Sequence, residues 1–84
     1  MSAVVRVREV LIPRLAAVLG VDESLVTDDL ELVTLGLSSL EVVEMIYDAE
    51  DALEVVFPEE ALAEVTTVGQ LVGALAVEVA ERGA

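Results

Sequence analysis

Apolar residues recur at intervals of three and four positions near the start of the chain, which is the spacing of one face of an α-helix. The pattern predicts a helix over residues 3–19. Its expected buried side consists of Val4, Val7, Leu11, Leu15 and Val18. Pro13 lies inside this segment and lacks a backbone N–H, so we expect it to kink or divide the helix. Gly20 follows at a position where a glycine commonly ends a helix.

The same periodicity returns at the end of the chain. Thr67 and Gln70 have the spacing of a capping box, which predicts the start of a last helix. The expected buried side of this helix consists of Val68, Leu71, Val72, Leu75 and Val79. Gly69 and Gly73 lower the helix propensity of the segment, and we interpret both as points of close packing against a neighbouring segment.

Residues 39–54 combine an acidic side and an apolar side, which predicts a third amphipathic helix. The acidic side consists of Glu41, Glu44, Asp48, Asp51 and Glu54. The opposite, core-facing side is expected to consist of Val42, Met45, Ile46, Ala49, Leu53 and Val56. Val43 and Tyr47 fall at the edge of the acidic side. Apolar residues among carboxylates are candidates for docking another protein.

The connections between these helices also carry information. Residues 20–37 form a long segment with short helical turns, and loops of this length are usually functional. We expect its apolar residues to hold it across the core; they are Val21, Val26, Leu30, Leu32, Leu35 and Leu37. Pro58 and the two glutamates after it predict a short helix over residues 59–64. The sequence therefore predicts a single all-α domain with four helices over residues 1–84.

The composition narrows the range of functions. The chain has no cysteine, histidine or lysine, so it lacks thiolate nucleophiles, the commonest general base and a Schiff-base amine. We therefore expect neither an enzyme nor a metal site. The net charge of −13 should repel nucleic acids and anionic membranes and favour basic protein surfaces. No membrane-spanning or secretion segment is evident, so we expect a soluble, cytoplasmic protein. The chain opens with Met and ends just after the last helical pattern, from which we expect a free-standing protein, and we expect a monomer.

Two adjacent serines precede the middle helix. Ser38 and Glu41 have capping-box spacing, so Ser38 is the expected N-cap, its hydroxyl accepting from the backbone amide of Glu41. Ser39 is then the first helical residue. Its hydroxyl should project at the helix N-terminus, where the dipole and the first amides favour an attached or bound anion. Simple helix capping without further chemistry remains the alternative for this pair.

Three segments together resemble the acyl carrier protein family. The stretch "LGLSSLEVVEMI" is similar to the LGxDSL signature of that family. The stretch "PEEALAEVTTVGQLVGAL" resembles its third-helix and fourth-helix signature, and "LGVDESLVTDDLEL" resembles its first long loop. The resemblance spans nearly the whole chain.

The resemblance implies a discrete type II acyl carrier protein, a four-helix bundle with a long first loop and a short third helix. Ser39 would carry 4′-phosphopantetheine, installed by a phosphopantetheinyl transferase, and the thiol of that group would hold acyl intermediates of fatty acid or polyketide biosynthesis. Acyltransferases, ketosynthases and other enzymes with basic docking patches would contact Glu41, Val43, Glu44, Tyr47, Asp48 and Asp51. An acyl chain could be sheltered between the helices by Val42, Ile46, Ala49 and Leu62, and simple core packing is the alternative for each of the four.

The sequence departs from the family pattern directly before the modified serine, where the usual aspartate is replaced by Ser38. Serine can cap the helix equally well, but a carboxylate that a transferase could recognise is lost. The alternative function is therefore an acidic, helical docking module that is not modified. A hydrolase or transferase that uses Ser39 directly is disfavoured because no histidine or lysine base and no nucleophile-elbow motif is present.

The excess of negative charge generates a first testable prediction. Raising the NaCl concentration from about 10 mM to about 1 M shortens the screening length from about 30 Å to about 3 Å, so carboxylate repulsion in the folded state should fall. We expect the Tm, measured by circular dichroism, to rise by several degrees. The same titration near the pH of zero net charge is the control, and an equal rise there would show that charge screening is not the cause.

Overall fold

The computed structural model of the chain describes residues 2–36 and 38–83, apart from the side chains of Ser39 and Glu59. Over these residues the chain forms four α-helices: α1 (Ala3–Leu19), α2 (Ser39–Leu53), α3 (Glu59–Leu62) and α4 (Val68–Gly83). Two short 3-10 turns, Glu23–Leu25 and Leu32–Leu35, lie in the long connection between α1 and α2. The predicted all-α fold with a long first loop and a short third helix is confirmed.

Helices α1 and α4 form the centre of the core, and α2 packs against α1. Leu11 and Leu15 of α1 are fully buried, as are Leu71 and Leu75 of α4. The buried side predicted for α4 is confirmed in full, because Val68, Leu71, Val72, Leu75 and Val79 are all buried. Burial of each such side chain stabilises the fold by about 1.5–3 kcal/mol before the entropic cost of folding.

The prediction for α1 holds in its middle and is wrong at its ends. Val7, Leu11 and Leu15 are buried, whereas Val4 is 44% and Val18 is 49% exposed. Both lie on the core-facing side by helical angle, but each is one residue from an end of α1, and Val18 borders an open hollow together with Glu44 and Met45 of α2. The core instead takes up two residues from the neighbouring side, Ile12 and Ala16.

Pro13 does not divide α1, which runs without a break from Ala3 to Leu19. The helix ends as predicted at Gly20, which adopts the left-handed conformation with φ 69°. The amide of Gly20 donates to the carbonyls of Ala16 and Ala17, and so satisfies two acceptors of the last turn.

The long connection is fixed to the start of α4 by three backbone hydrogen bonds. The amide of Leu32 donates to the carbonyl of Thr66 at 2.8 Å. In return, the amides of Val68 and Gly69 donate to the carbonyls of Leu30 and Asp28 at 2.9 and 2.8 Å. These two amides belong to the first turn of α4 and have no acceptor within the helix. The loop therefore accepts the first amides of α4. The predicted capping box completes this end of the helix, because Thr67 Oγ1 accepts from the amide of Gln70 at 3.2 Å and Gln70 Oε1 accepts from the amide of Thr67 at 3.3 Å.

Apolar residues of the connection also enter the core. Val26 and Leu32 are buried, and Leu30 and Leu35 pack against the core while half-buried, so the predicted anchoring is confirmed for these four. Val21 is 40% exposed, and its predicted role is wrong because it directly follows the turn at Gly20 on the surface. Leu37, the last residue of the set, lies outside the described residues.

The two glycines of α4 differ in their surroundings. A Cβ atom on Gly69 would lie 3.0 Å from the Cβ of Asp28 and 3.1 Å from its carbonyl oxygen, so a side chain here would press on the backbone of Asp28. Around Gly73 no heavy atom lies within 4 Å of the position of a Cβ. The prediction of close packing is confirmed for Gly69 and wrong for Gly73, which faces open space.

The second half of the chain shows two smaller differences from the prediction. Helix α2 ends at Leu53, and Glu54 adopts a left-handed conformation that turns the chain away. Val56 consequently lies beyond the helix and is 78% exposed, so its predicted place in the core is wrong. Helix α3 covers Glu59–Leu62 and is two residues shorter than the predicted 59–64.

Because the two glycines have different surroundings, replacing each by alanine should change the stability in opposite directions. Gly73→Ala should raise the free energy of unfolding by about 0.5–1 kcal/mol, because alanine has the higher helix propensity and meets no obstacle. Gly69→Ala should lower it by about 1–3 kcal/mol through overpacking against Asp28. Chemical denaturation measures the free energy of unfolding of both variants, and the m-value should stay the same as in the parent chain. Equal effects of the two substitutions would contradict the close approach at Gly69.

Candidate functional site

The site begins where the long connection turns into α2. Gly36 adopts a left-handed conformation with φ 73° at the end of the second 3-10 turn. Ser38 is extended and is the N-cap of α2. Its Oγ accepts from the amide of Glu41 at 3.1 Å, and a carboxylate oxygen of Glu41 accepts from the amide of Ser38 at 3.0 Å. This reciprocal pair is the capping box that the spacing of Ser38 and Glu41 predicted.

Ser39 is the first residue of α2, as its position after the N-cap predicted. Its side chain lies outside the described part of the structure, so the orientation of its hydroxyl stays a prediction. The backbone alone places the residue in the first turn, where amides without intrahelical acceptors and the helix dipole favour a negative group. The neighbouring Leu40 is 66% exposed, so this end of α2 is open to solvent.

The first turn of α2 therefore fits a phosphodiester at Ser39. Ser38 is already engaged, because its hydroxyl is the acceptor for Glu41. An ester at Ser38 would replace this hydroxyl and disturb the cap, whereas Ser39 has no part in the capping box. Of the two serines, only Ser38 has its hydroxyl engaged in the cap of α2.

The predicted docking residues lie together on α2. Five are exposed at the surface: Glu41, Glu44, Tyr47, Asp48 and Asp51. Tyr47 exposes 60% of its surface. Val43 is half-buried. It lies with Tyr47 beside a hollow rather than among the carboxylates, so the predicted set divides into a row of carboxylates and a shorter apolar row.

The hollow beside Tyr47 has a volume of about 220 Å³. It lies between α2 and the segment that contains α3, and it is lined by Val43, Ile46, Tyr47, Glu50, Phe57 and Leu62. Two of the residues expected to shelter an acyl chain, Ile46 and Leu62, line it. The other two do not, because Ala49 is fully buried in the core and Val42 packs against the core from the side.

Glu50 is a residue of this region that the sequence analysis missed. Its carboxylate accepts from the backbone amide of Phe57 at 2.7 Å, which ties the end of α2 to the connection that leads to α3. The signal was present in the sequence. Val43, Tyr47, Glu50 and Glu54 recur at helical spacing, so Glu50 belongs to the same side of α2 as the two apolar docking residues.

Two carboxylates hold turns of the loop that leads to the site. The backbone amide of Ser24 donates to Asp22 at 2.9 Å and lowers the pKa of that carboxyl, with a further contribution from the Ser24 side chain. The hydroxyl of Thr27 donates to Asp29 at 2.7 Å and likewise lowers its pKa. Because both pKa values are lowered by folding, their contribution to stability is present above the ordinary value and is lost as the pH falls through the folded value.

Residues 9–75 match the protein family described as "Phosphopantetheine attachment site". The match runs from α1 into α4 and includes the loop, the serine pair and the whole of α2. The chain belongs to this family. Its members are carrier domains, in general non-catalytic, that bear 4′-phosphopantetheine as a prosthetic group. A comparison with curated proteins returned no match.

Membership in this family establishes the coarse function. The chain is a carrier domain for 4′-phosphopantetheine, and such domains are modified by a phosphopantetheinyl transferase and work with biosynthetic enzymes. Among the helices that the structure describes, none is long and apolar enough to cross a membrane.

The capping box generates the next prediction. Ser38→Ala removes the acceptor for the amide of Glu41 and should lower the free energy of unfolding by about 1 kcal/mol. For a domain of this size that corresponds to a fall in Tm of about 4–8 °C. Ser38→Asp is the control, because aspartate caps as well as serine and should keep the Tm close to that of the parent. An unchanged Tm in Ser38→Ala would contradict the cap.

Proposed function

We propose that this chain is a discrete acyl carrier protein and that residues 1–84 form one carrier domain. It carries acyl intermediates of fatty acid or polyketide biosynthesis as thioesters on a 4′-phosphopantetheine arm attached to Ser39. When bound, the prosthetic group supplies the thiol that holds the acyl group. The protein itself starts α2, orients Ser39 and offers a surface to partner enzymes.

One observation carries the assignment of the attachment residue. The hydroxyl of Ser38 accepts from the amide of Glu41 and so fixes the start of α2 directly before Ser39. Ser39 is therefore the serine of the pair whose modification leaves the cap intact. Its place in the first turn also suits the negative charge of a phosphodiester.

The partners that we propose are a phosphopantetheinyl transferase, acyltransferases, ketosynthases and other biosynthetic enzymes that present basic docking patches. The exposed carboxylates of Glu41, Glu44, Asp48 and Asp51 supply the complementary charge. Exposed charges of this kind raise the association rate and the specificity more than the affinity. This suits a carrier that must leave one enzyme quickly to reach the next.

Apolar contacts complete the proposed docking surface. Tyr47 and Val43 adjoin the carboxylates and border the hollow of about 220 Å³. The other walls of this hollow are largely apolar, with Ile46, Phe57 and Leu62. An acyl chain that enters it leaves water, which lowers the free energy of the loaded carrier in proportion to the buried apolar area. We propose this hollow as the shelter for the cargo.

Ser38 stands where the transferase would meet an aspartate in the family pattern, so one charge contact between carrier and transferase is absent. We therefore propose that a dedicated transferase modifies this chain or that modification is slower.

The excess of carboxylates supports a monomer, because like charges repel between copies. We propose a cytoplasmic location, where coenzyme A and the biosynthetic enzymes are available.

The decisive experiment measures the intact mass after incubation with coenzyme A and a broad-specificity phosphopantetheinyl transferase. We expect the mass of one phosphopantetheine to be added to the parent chain and none to Ser39→Ala. Peptide mapping should locate the group on Ser39. Ser38→Ala is the matched control, because it removes the adjacent hydroxyl and weakens the helix cap but leaves the attachment residue in place, so it should still be modified.

Modification of Ser38, or of the Ser39→Ala variant, would contradict the proposed attachment residue. If several transferases leave the folded parent chain unmodified, the alternative function applies, namely an acidic docking module. That module would bind its basic partners equally well with Ser39→Ala, whereas a carrier with this substitution would lose its function with its fold intact.

A further inference from the structure

The hollow between α2 and the segment around α3 has a charged side chain in its wall. Of the residues that line it in the described part of the chain, all but one are apolar or aromatic, and the exception is Glu50. In ligand sites, a few polar groups among apolar walls fix the orientation and the choice of the ligand. The carboxylate of Glu50 is therefore the group in this hollow that can distinguish one cargo from another.

The carboxylate of Glu50 is held in position by the backbone. Its Oε2 atom accepts from the amide of Phe57 at 2.7 Å in a partly buried hydrogen bond. Phe57 is itself only 7% exposed and forms a neighbouring part of the wall. A carboxylate has about four acceptor sites, and this bond uses one of them. The group is thus fixed by one hydrogen bond and keeps the capacity to accept further ones.

An ionised carboxylate accepts hydrogen bonds but cannot donate them, so the cargo group that suits it is a hydroxyl and not a ketone or a methylene. A hydroxyl would form a charge-assisted hydrogen bond, which is about twice as strong as a neutral one. A saturated tail in the same place would displace water from the carboxylate without replacing its hydrogen bonds, which costs free energy. A site of this kind discriminates against the analogue that lacks the hydroxyl.

The position of Glu50 along α2 decides which part of the cargo it meets. Val43 lines the hollow and lies about one helical turn after Ser39. Glu50 lies about 10 Å further along the axis, at about 1.5 Å per residue. An extended chain of eight carbons spans about 9 Å, given C–C bonds of about 1.5 Å. A chain that enters from the attachment end therefore brings its far carbons to Glu50, not those beside the thioester.

We propose that Glu50 selects the cargo, and that the hollow takes acyl chains with a hydroxyl group far from the thioester in preference to chains with a saturated tail. The inference rests on the proposed function, because it names the class of acyl group that the carrier shelters. Intermediates of fatty acid synthesis have their oxygen next to the thioester and end in a saturated tail. Polyketide-type chains keep oxygens along their length, and Glu50 favours this class in its hydroxylated forms.

The first test uses the full, unmodified chain and free octanoyl thioesters of N-acetylcysteamine. The saturated compound is compared with one that has a hydroxyl on the seventh carbon and one that has a ketone there. NMR signals of the methyl groups of Val43, Ile46 and Leu62 report binding. We expect the hydroxyl compound to bind about tenfold more tightly than the other two, which is the effect of one hydrogen bond to a charged, half-buried acceptor.

Two variants show whether the carboxylate causes this preference. Glu50→Gln keeps an acceptor for the amide of Phe57 but offers an N–H group to the cargo, so the preference for hydroxyl over ketone should fall to about twofold or less. The matched control is Glu54→Gln. Glu54 lies one turn further along α2 and lines an adjoining open depression, not the hollow. The same loss of charge there should leave the preference unchanged. Thermal unfolding verifies first that both variants fold.

The second test fixes the direction of entry. A transferase loads the chain with octanoyl groups that have the hydroxyl on the third or on the seventh carbon, and the intact mass confirms loading. We expect the chain with the distant hydroxyl to shift the methyl signals of Ile46 and Leu62 further, because a larger fraction of it occupies the hollow. Equal occupancy by the two loaded groups would contradict the position that we assign to Glu50.

Three further results would overturn the proposal. They are equal affinity of the hydroxyl and ketone compounds for the parent chain, a preference that Glu50→Gln leaves unchanged, and the absence of methyl shifts with every free compound. A different result separates this inference from the proposed function. If no transferase loads the chain but the free hydroxyl compound is preferred and Glu50→Gln removes the preference, the carrier function fails while the selectivity of the hollow stands.

Discussion

The close contact between the long first loop and the start of α4 is the constraint on which the rest of the structure depends. The loop carbonyls of Asp28 and Leu30 accept the first amides of α4, and the loop amide of Leu32 donates to the residue that precedes the capping box of α4. Within this contact a side chain at position 69 would press on the backbone of Asp28. The contact holds residues 28–32 of the loop beside α4, and the same connection leads on to Ser38, the cap of α2.

Much of this arrangement can be predicted from local patterns. The buried side of α4, the cap at Ser38 and the helix end at Gly20 depend on residues within a few positions of one another, and all three were predicted. The predictions fail where a residue depends on distant neighbours. Val18 has the right helical angle but borders an open hollow between the end of α1 and α2, so nearly half of its surface stays in water. The difference between the two glycines of α4 is of this kind too, because it depends on a loop about 40 residues earlier in the chain.

In the candidate site, too, local patterns predict some features, whereas others depend on residues distant in the chain. The carboxylates and Tyr47 of α2 face solvent as the periodicity predicted. The hollow was predicted only in part, because its walls come from α2 and from the segment around α3, whose relative position no local pattern specifies. Ala49 illustrates the limit: its helical position allows either a hollow or the core, and only the packing of α1 against α2 decides for the core.

The small number of aromatic residues gives this domain a simple spectroscopic signal. The chain contains one tyrosine, one phenylalanine and no tryptophan. Phe57 is buried, whereas Tyr47 stands at the surface of α2 beside the hollow. The near-ultraviolet absorbance and the fluorescence of the protein therefore come mostly from one tyrosine at the surface of α2. This side chain is a natural optical reporter of the docking surface that we propose.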